Sequence, residues 1–82
     1  MIRELDMNGQ WQMVDSSNIE AIAFNWEYID KGTLHVKFRS NGKHYAYSDV
    51  PTAVYQNLMN AESIGKAFYA TVVNKYNFAI IE

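Results

Sequence analysis

The fold is decided by residues 33–47, whose sequence is TLHVKFRSNGKHYAY. Apolar and polar side chains alternate on both sides of Asn41-Gly42, which is typical of two strands that each bury one face. Asn-Gly is a strong signal for a two-residue type I′ turn, in which both central residues have positive φ. Such a turn places Val36 opposite Tyr47, so the stretch predicts a β-hairpin with a defined register.

The predicted register sorts the side chains of the hairpin onto two faces. Tyr45 and Tyr47 share a face with Leu34, Val36 and Phe38. We therefore interpret the Tyr-x-Tyr motif as structural, with both rings packed against the core. A role in stacking on a ligand would require a bulge that turns one ring outward.

The opposite face of the hairpin is basic. No acid occurs between Lys31 and Ser48, and outside this segment nine acids face three bases, although the net charge is only −2. A basic face suits an anionic partner, here RNA or a nucleotide. The alternative is that long cationic side chains only solvate an exposed face and prevent edge pairing. The candidate anion contacts are Lys37, Arg39, Lys43, His35 and His44.

The two histidines are expected to lie apart. The predicted register puts His35 opposite Ser48 and His44 opposite Arg39, about 13 Å from each other at the standard strand rise. One zinc ion cannot bridge that distance, because Zn–N bonds are about 2 Å long. The chain also has no cysteine. We therefore expect no metal site, and no cofactor is indicated.

No catalytic motif is recognisable in the sequence. Ser16-Ser17 is not set between a strand and a helix, as a nucleophile elbow would be. The four glycines are isolated from one another, so no phosphate-binding loop is present. We expect no catalytic residues and a protein that is not an enzyme.

Outward from the hairpin, the pattern predicts an α+β architecture. Residues 19–26 alternate and add a strand before the hairpin. A short helix begins near Pro51 and ends at Asn60, and a second runs roughly from Glu62 to Asn74. We expect a three-stranded antiparallel meander, with a possible extra edge strand, and two helices packed on one face.

The two ends of the chain are treated separately from this domain. Residues 1–15 are a lead-in, partly flexible or forming a short edge strand, and residues 77–82 are a tail that adds an edge strand or covers an apolar groove.

The apolar fraction of 49% excludes a disordered chain. No apolar run approaches the 20 or so residues of a membrane helix, so no membrane contact is expected. The lack of cysteine favours the cytoplasm.

A second candidate surface is apolar. Trp26, Tyr28 and Ile29, with Trp11, surround the first turn, and large aromatic side chains are favoured anchors at protein interfaces. This pattern indicates a protein-interaction or self-associating module, with a protein partner or a homo-oligomer. The alternative is local packing of these side chains against the lead-in or the tail.

The ordered set of motifs resembles the KTSC domain family, which is named for the C-terminal segment of some lysyl-tRNA synthetases. The family commonly has glycine and tyrosine where this chain has Ala23 and Phe24. The resemblance covers residues 16–76 and implies a single small α+β accessory module without an established activity. The synthetase context implies RNA binding, and stand-alone members are bacterial and often associated with phages or prophages. The motifs are Ser16-Ser17-Asn18-Ile19, Tyr45-Ala46-Tyr47, Val50-Pro51 and Ser63-x-Gly65-Lys66.

Overall fold

The computed structural model describes residues 11–81, which form a five-stranded sheet and two helices. The helices are α1 (Thr52–Asn60) and α2 (Ile64–Thr71), and both lie between the fourth and fifth strands in the sequence. Neighbouring strands in the sheet are neighbours in the chain, and all pairs are antiparallel. The strands are β1 (Gln12–Met13), β2 (Ile19–Trp26), β3 (Lys31–Phe38), β4 (His44–Pro51) and β5 (Phe78–Ile81).

The α+β prediction is confirmed, but the sheet is larger than a three-stranded meander. The lead-in supplies β1 as one edge strand, and the tail supplies β5 as the other. The prediction that the lead-in is partly flexible is not tested over residues 1–10, which lie outside the described residues. Neither of the two described helices has the length and apolar character that a membrane span requires.

The observed register of the β3–β4 hairpin differs from the predicted register by two residues. Val36 pairs with Tyr45 rather than Tyr47, because the hairpin closes where Phe38 N donates to Lys43 O, which leaves the four residues 39–42 in the loop instead of two. The loop is closed by Gly42 N donating to Phe38 O at 2.9 Å. Within the loop only Gly42 has a positive φ, 69°, so the type I′ prediction is wrong. A shift of two residues leaves each side chain on its predicted face but gives it different cross-strand neighbours.

The core lies between the sheet and the two helices. Tyr47, on the helix side of β4, packs its ring edge-on against Phe68 of α2, with 5.6 Å between the ring centroids. Helix α2 begins after Ser63, whose Oγ accepts a hydrogen bond from Lys66 N at 3.3 Å, as expected for a capping serine. The helix ends before the predicted Asn74, which has a φ of 68°. The largest fully buried side chains are Phe68, Ile19, Ile22, Leu34, Leu58, Val36, Val50 and Val72.

Candidate functional site

Two imidazoles and an indole lie together on the outer face of the sheet, the face away from the helices. His35 Nδ1 and His44 Nε2 are 2.8 Å apart, so one ring donates a hydrogen bond to the other. The Trp11 ring meets both edge-on, with its centroid 5.0 Å from that of His44 and 6.3 Å from that of His35. We call these three residues the outer cluster.

The predicted 13 Å separation of the histidines is therefore wrong. His44 pairs with Lys37, which lies two residues from His35 on the same face of β3. The two imidazoles are diagonal neighbours, a spacing at which long side chains on adjacent strands meet. The error follows directly from the two-residue difference in register.

Small side chains on β2 explain how Trp11 reaches the histidines. Ala23 pairs with His35 and Ala21 pairs with Lys37, so alanines occupy the outer face of the strand between β1 and β3. A methyl group leaves room for the indole to cross the strand, and both alanines are buried. Trp11 itself remains 41% exposed. The sequence pattern predicts Trp11 near Trp26 instead, because the pairing of so short a strand as β1 has little local signal.

Burial lowers the pKa of both histidines. For His35 a second cause is the neighbouring His44, and for His44 it is the charge of Lys37. A neutral imidazole has one donor and one acceptor nitrogen, which is what the hydrogen bond between the two rings requires. The outer cluster is therefore uncharged at neutral pH, and protonating both rings breaks the bond.

Acidification is expected to destabilise the fold through this pair. The unfolded histidines titrate near pH 6.5, and the folded ones below that value. The unfolded chain therefore binds more protons as the pH falls through 6.5, and the free energy of unfolding decreases until the folded pKa values are reached. Urea unfolding at pH 7.5 and at pH 5.2, above the carboxylate range, measures this loss.

The matched variant for this measurement is His35→Gln/His44→Gln. Its side chains retain hydrogen-bonding capacity and do not titrate. The variant is expected to lose less stability than the wild type between the two pH values. An equal loss in both proteins would contradict the assignment of the effect to the two histidines.

Arg39 has a structural role that the sequence pattern did not indicate. Its Nε donates to Ser16 O at 3.1 Å, and its Nη2 donates to Val14 O at 3.4 Å and to Ile19 O at 3.3 Å. Its backbone N also donates to Asn18 O at 2.9 Å. The guanidinium thus fastens the segment before β2 to the end of β3, and its donors serve backbone carbonyls rather than an open anion site.

Lys37 and Lys43 are the two remaining cations of the predicted anion site. Lys37 pairs with His44 across the hairpin, and Lys43 is exposed at the end of the loop. Within residues 11–81, neither lysine forms an ion pair. Lys31, in contrast, lies 3.9 Å from Asp49 Oδ1 at the other end of β3. The two lysines of this segment without an ion pair among residues 11–81 therefore lie toward the loop end of the hairpin.

The outer cluster does not have the donor set of a metal site. No group of three or more His, Cys, Asp or Glu side chains is found in the described part of the chain. Zinc normally takes three or four protein ligands, whereas this cluster offers two imidazoles that already bond to each other. The number of donors in the outer cluster, rather than the distance between the histidines, disfavours zinc binding here.

The predicted apolar interface at the first turn divides into two parts. Trp26 packs edge-on against Tyr55 at 5.7 Å, and its Nε1 donates to Thr52 Oγ1 at 3.1 Å. Tyr28 is 61% exposed and Ile29 is 95% exposed. The tryptophan is thus anchored to α1 while 37% of its surface stays exposed, and the two residues at the tip project further into solvent.

The motif residues around Ser16 and α2 meet at a second place, a cavity of about 710 Å³. Ser16 Oγ accepts hydrogen bonds from Asn18 N and Ile19 N, each at 3.2 Å. A Cβ on Gly65 would lie 3.4 Å from that same oxygen. The lack of a side chain at Gly65 therefore lets the loop at Ser16 pack closely against α2. These residues support the local fold, because the hydroxyl oxygens of Ser16 and Ser63 already accept hydrogen bonds from backbone groups of the chain.

Comparisons with known proteins agree on one family. The KTSC domain model matches residues 15–76, close to the span of the resemblance found in the sequence. The crystal structure of a KTSC domain protein from Yersinia pestis is 33% identical, with a TM-score of 0.81. The match covers 89% of this chain and 97% of that one. A search of curated proteins finds no match.

Proposed function

This chain belongs to the KTSC domain family, and from that premise we propose that it is a non-enzymatic module that binds single-stranded RNA on the outer face of its sheet. The observation that carries the proposal is the half-exposed indole of Trp11, held beside a neutral imidazole pair. Lys37 lies beside His44 on the same face, and Lys43 follows at the end of the hairpin loop; neither has an ion pair in the described chain.

The chemistry of this face matches what a single-stranded nucleic acid presents. An unpaired base stacks on an aromatic ring, and sheet faces that display aromatic side chains are a common means of binding it. The imidazole pair adds hydrogen-bonding nitrogens beside the indole. The two lysines supply positive charge for the phosphates that flank a stacked base.

The modest charge of the chain favours a single strand over a duplex. Binding to a duplex depends mainly on many phosphate contacts, whereas this end of the hairpin offers two lysines without an ion pair among residues 11–81, and the chain carries a net charge of −2. Stacking adds affinity that does not depend on charge, and it requires a base whose face is accessible. A base-paired helix keeps its base faces covered.

Reversing the two lysine charges is expected to weaken RNA binding at least tenfold. The variant is Lys37→Glu/Lys43→Glu. Fluorescence anisotropy at low salt measures its binding to a labelled oligouridylate of about 12 nucleotides. Two phosphate contacts to a single strand predict a salt slope of about −1.4, which the variant should lose. The control is Lys66→Glu/Lys75→Glu, which changes the net charge equally. No binding at low salt, or an equal loss in the control, would refute the proposal.

Fluorescence separates stacking from simple charge attraction. The chain has two tryptophans, so Trp26→Phe leaves Trp11 as the only indole and Trp11→Phe leaves Trp26. Stacking of a base should quench Trp11 and leave Trp26 unchanged. Quenching of Trp26 alone would place the RNA elsewhere on the protein.

A protein-interaction module is the second candidate function. It is favoured by the projecting tip at Tyr28 and Ile29 and by β5, an edge strand whose residues are all exposed. Light scattering coupled to size exclusion tests self-association directly. A mass near twice 9.5 kDa that returns to the monomer value in Ile29→Asp would support this candidate. A monomer at all concentrations would remove self-association.

A further inference from the structure

A groove on the helix side of the sheet is lined mainly by aromatic rings. It has a volume of about 380 Å³ and lies between the end of the β3–β4 hairpin, α2 and the start of β5. Small-molecule sites usually have volumes of about 300–1,000 Å³, so this one suits a small ligand. We call it the aromatic groove; its rings are Phe38, Tyr45, Tyr47, Phe68, Tyr69 and Phe78.

The Tyr47 hydroxyl is the unusual feature of this groove. Tyr47 is only 4% exposed, yet its hydroxyl makes no hydrogen bond to any residue in the range 11–81. The comparable Tyr55 is also buried, but its hydroxyl accepts a hydrogen bond from Gln12 Nε2 at 3.3 Å. Buried polar groups are nearly always satisfied, so the Tyr47 hydroxyl calls for a partner that the chain does not supply.

The position of Tyr47 among the other tyrosines indicates where that partner would lie. Burial raises the pKa of Tyr47, and the neighbouring Tyr45 and Tyr69 raise this pKa further. All three residues line the aromatic groove. The Tyr47 hydroxyl is therefore protonated at neutral pH and is available as a donor beside two other phenols.

The lining of the groove selects against charge. It contains no acidic, basic or histidine side chain, and its polar rim consists of Ser40, Asn41 and Asn74. A charged group bound here would lose its hydration without gaining an ion pair, which is unfavourable. The groove therefore suits an uncharged ligand that offers a hydrogen-bond acceptor.

The arrangement of the rings selects for a flat ligand. Phe78 from β5 is tilted against both Tyr45 and Tyr47, with ring centroids 5.2 Å and 5.5 Å apart and interplanar angles of 31° and 41°. On the other side, Tyr69 of α2 is 53% exposed. Rings of this kind bind planar groups by offset or edge-to-face contact.

We propose that the aromatic groove binds an uncharged planar heterocycle of nucleobase size, which packs against its rings and accepts a hydrogen bond from the Tyr47 hydroxyl. The site is separate from the outer cluster, because Tyr45 and Tyr47 point to the helix side of β4 while His44 lies on the outer side. The proposal does not depend on RNA binding by the outer face.

Titration with adenosine, cytidine and uridine, followed by amide chemical shifts, tests the ligand class. At least one nucleoside is expected to shift the amides of Tyr69 and Phe78 saturably at millimolar concentration. Tyr47→Phe should weaken that binding about three- to tenfold, the effect of losing one neutral hydrogen bond. Tyr55→Phe, which removes a hydroxyl that is bonded elsewhere, should leave it unchanged. The corresponding nucleoside monophosphate should bind no more tightly than the nucleoside.

Two results would overturn the proposal. One is the absence of a saturable shift with all three nucleosides. The other is binding that is lost in Trp11→Ala and retained in Tyr47→Phe, because that result would place the ligand on the outer face. Failure of RNA binding with retained nucleoside binding, in contrast, would affect only the proposed function.

A measurement without ligand checks the premise about the hydroxyl. Removing an unpartnered buried hydroxyl leaves stability unchanged or raises it, whereas removing a bonded one lowers it. The urea midpoint of Tyr47→Phe is therefore expected to equal or exceed that of the wild type, while Tyr55→Phe should lower it. A clearly lower midpoint for Tyr47→Phe would show that the hydroxyl is already used by the fold and would overturn the assignment.

Discussion

Phe68→Ala is expected to lower the free energy of unfolding by about 3–5 kcal/mol. Phe68 is fully buried and its ring contacts those of Phe38 and Tyr47, with centroids 5.7 Å and 5.6 Å away. Alanine would leave a cavity at the junction of α2 and the sheet, which the surrounding rings fill only in part. Urea unfolding followed by far-UV circular dichroism measures the change.

The size of this loss matters because the domain is small. A chain of 82 residues has a total stability of about 4–12 kcal/mol at the usual values per residue. Phe68→Ala therefore removes a large part of it. The control is Tyr69→Ala, which truncates the next ring on the same helix. Tyr69 is largely exposed, so its loss should stay below about 1 kcal/mol. Equal losses would contradict the assignment of Phe68 to the centre of the core.

Gly32→Ala is expected to cost about 3 kcal/mol or more, the upper end of the range for inserting a group into a packed site. A Cβ on Gly32 would lie 2.2 Å from Asn25 O and 2.9 Å from Trp26 Cα, both backbone atoms of the paired strand β2. Backbone atoms of a hydrogen-bonded strand cannot move aside as the end of a long side chain can. The variant must therefore separate β2 from β3 at this point, and thermal or urea unfolding reports the cost.

Gly42→Ala provides the control for this substitution. Gly42 has a φ of 69°, but no atom beyond its two chain neighbours lies within 4 Å of the position its Cβ would occupy. Its replacement should cost about 1–2 kcal/mol, the penalty of a left-handed conformation for a residue with a side chain. A cost for Gly32→Ala no larger than that for Gly42→Ala would show that the strands separate easily and would contradict the steric argument.

The hairpin shows which parts of a fold local sequence determines. Alternation correctly assigned the side chains of the two strands to their faces, because the pleat has a period of two. The turn type followed from Asn41-Gly42 and was wrong, because the bonds of Arg39 to the distant segment at residues 14–19 hold it in the loop. Local propensity cannot weigh such a long-range contact. The faces therefore agree with the prediction and the cross-strand neighbours do not.

The candidate site depended on that same register. The residue types on the outer face were predictable, and His35, Lys37 and His44 do lie together on it. Their distances were not predictable, since a shift of two residues turns widely separated histidines into a bonded pair. Trp11 joins them through the pairing of β1 with β2, which two residues of sequence do not specify. The composition of the site was thus available from the sequence, but its geometry was not.

The aromatic groove was hidden for a different reason. Orientation of Tyr45 and Tyr47 toward the helices was predicted and holds, yet that prediction treated both as ordinary core residues. Whether a buried hydroxyl finds a partner depends on every group around it, including Tyr69 on α2 and Phe78 on β5. Such an arrangement exists only after the helices and the last strand have been positioned.

The place of β5 in the chain has a consequence for folding order. Strands β1 to β4 follow one another closely, so they can associate by closing short loops, whereas β5 must return to β4 after both helices. A four-residue strand at the sheet margin, exposed along its length, belongs among the elements that detach at the lowest free energy. Detachment removes Phe78 from its contacts with Tyr45 and Tyr47. A ligand bound in the aromatic groove would therefore stabilise the state in which β5 is paired with β4.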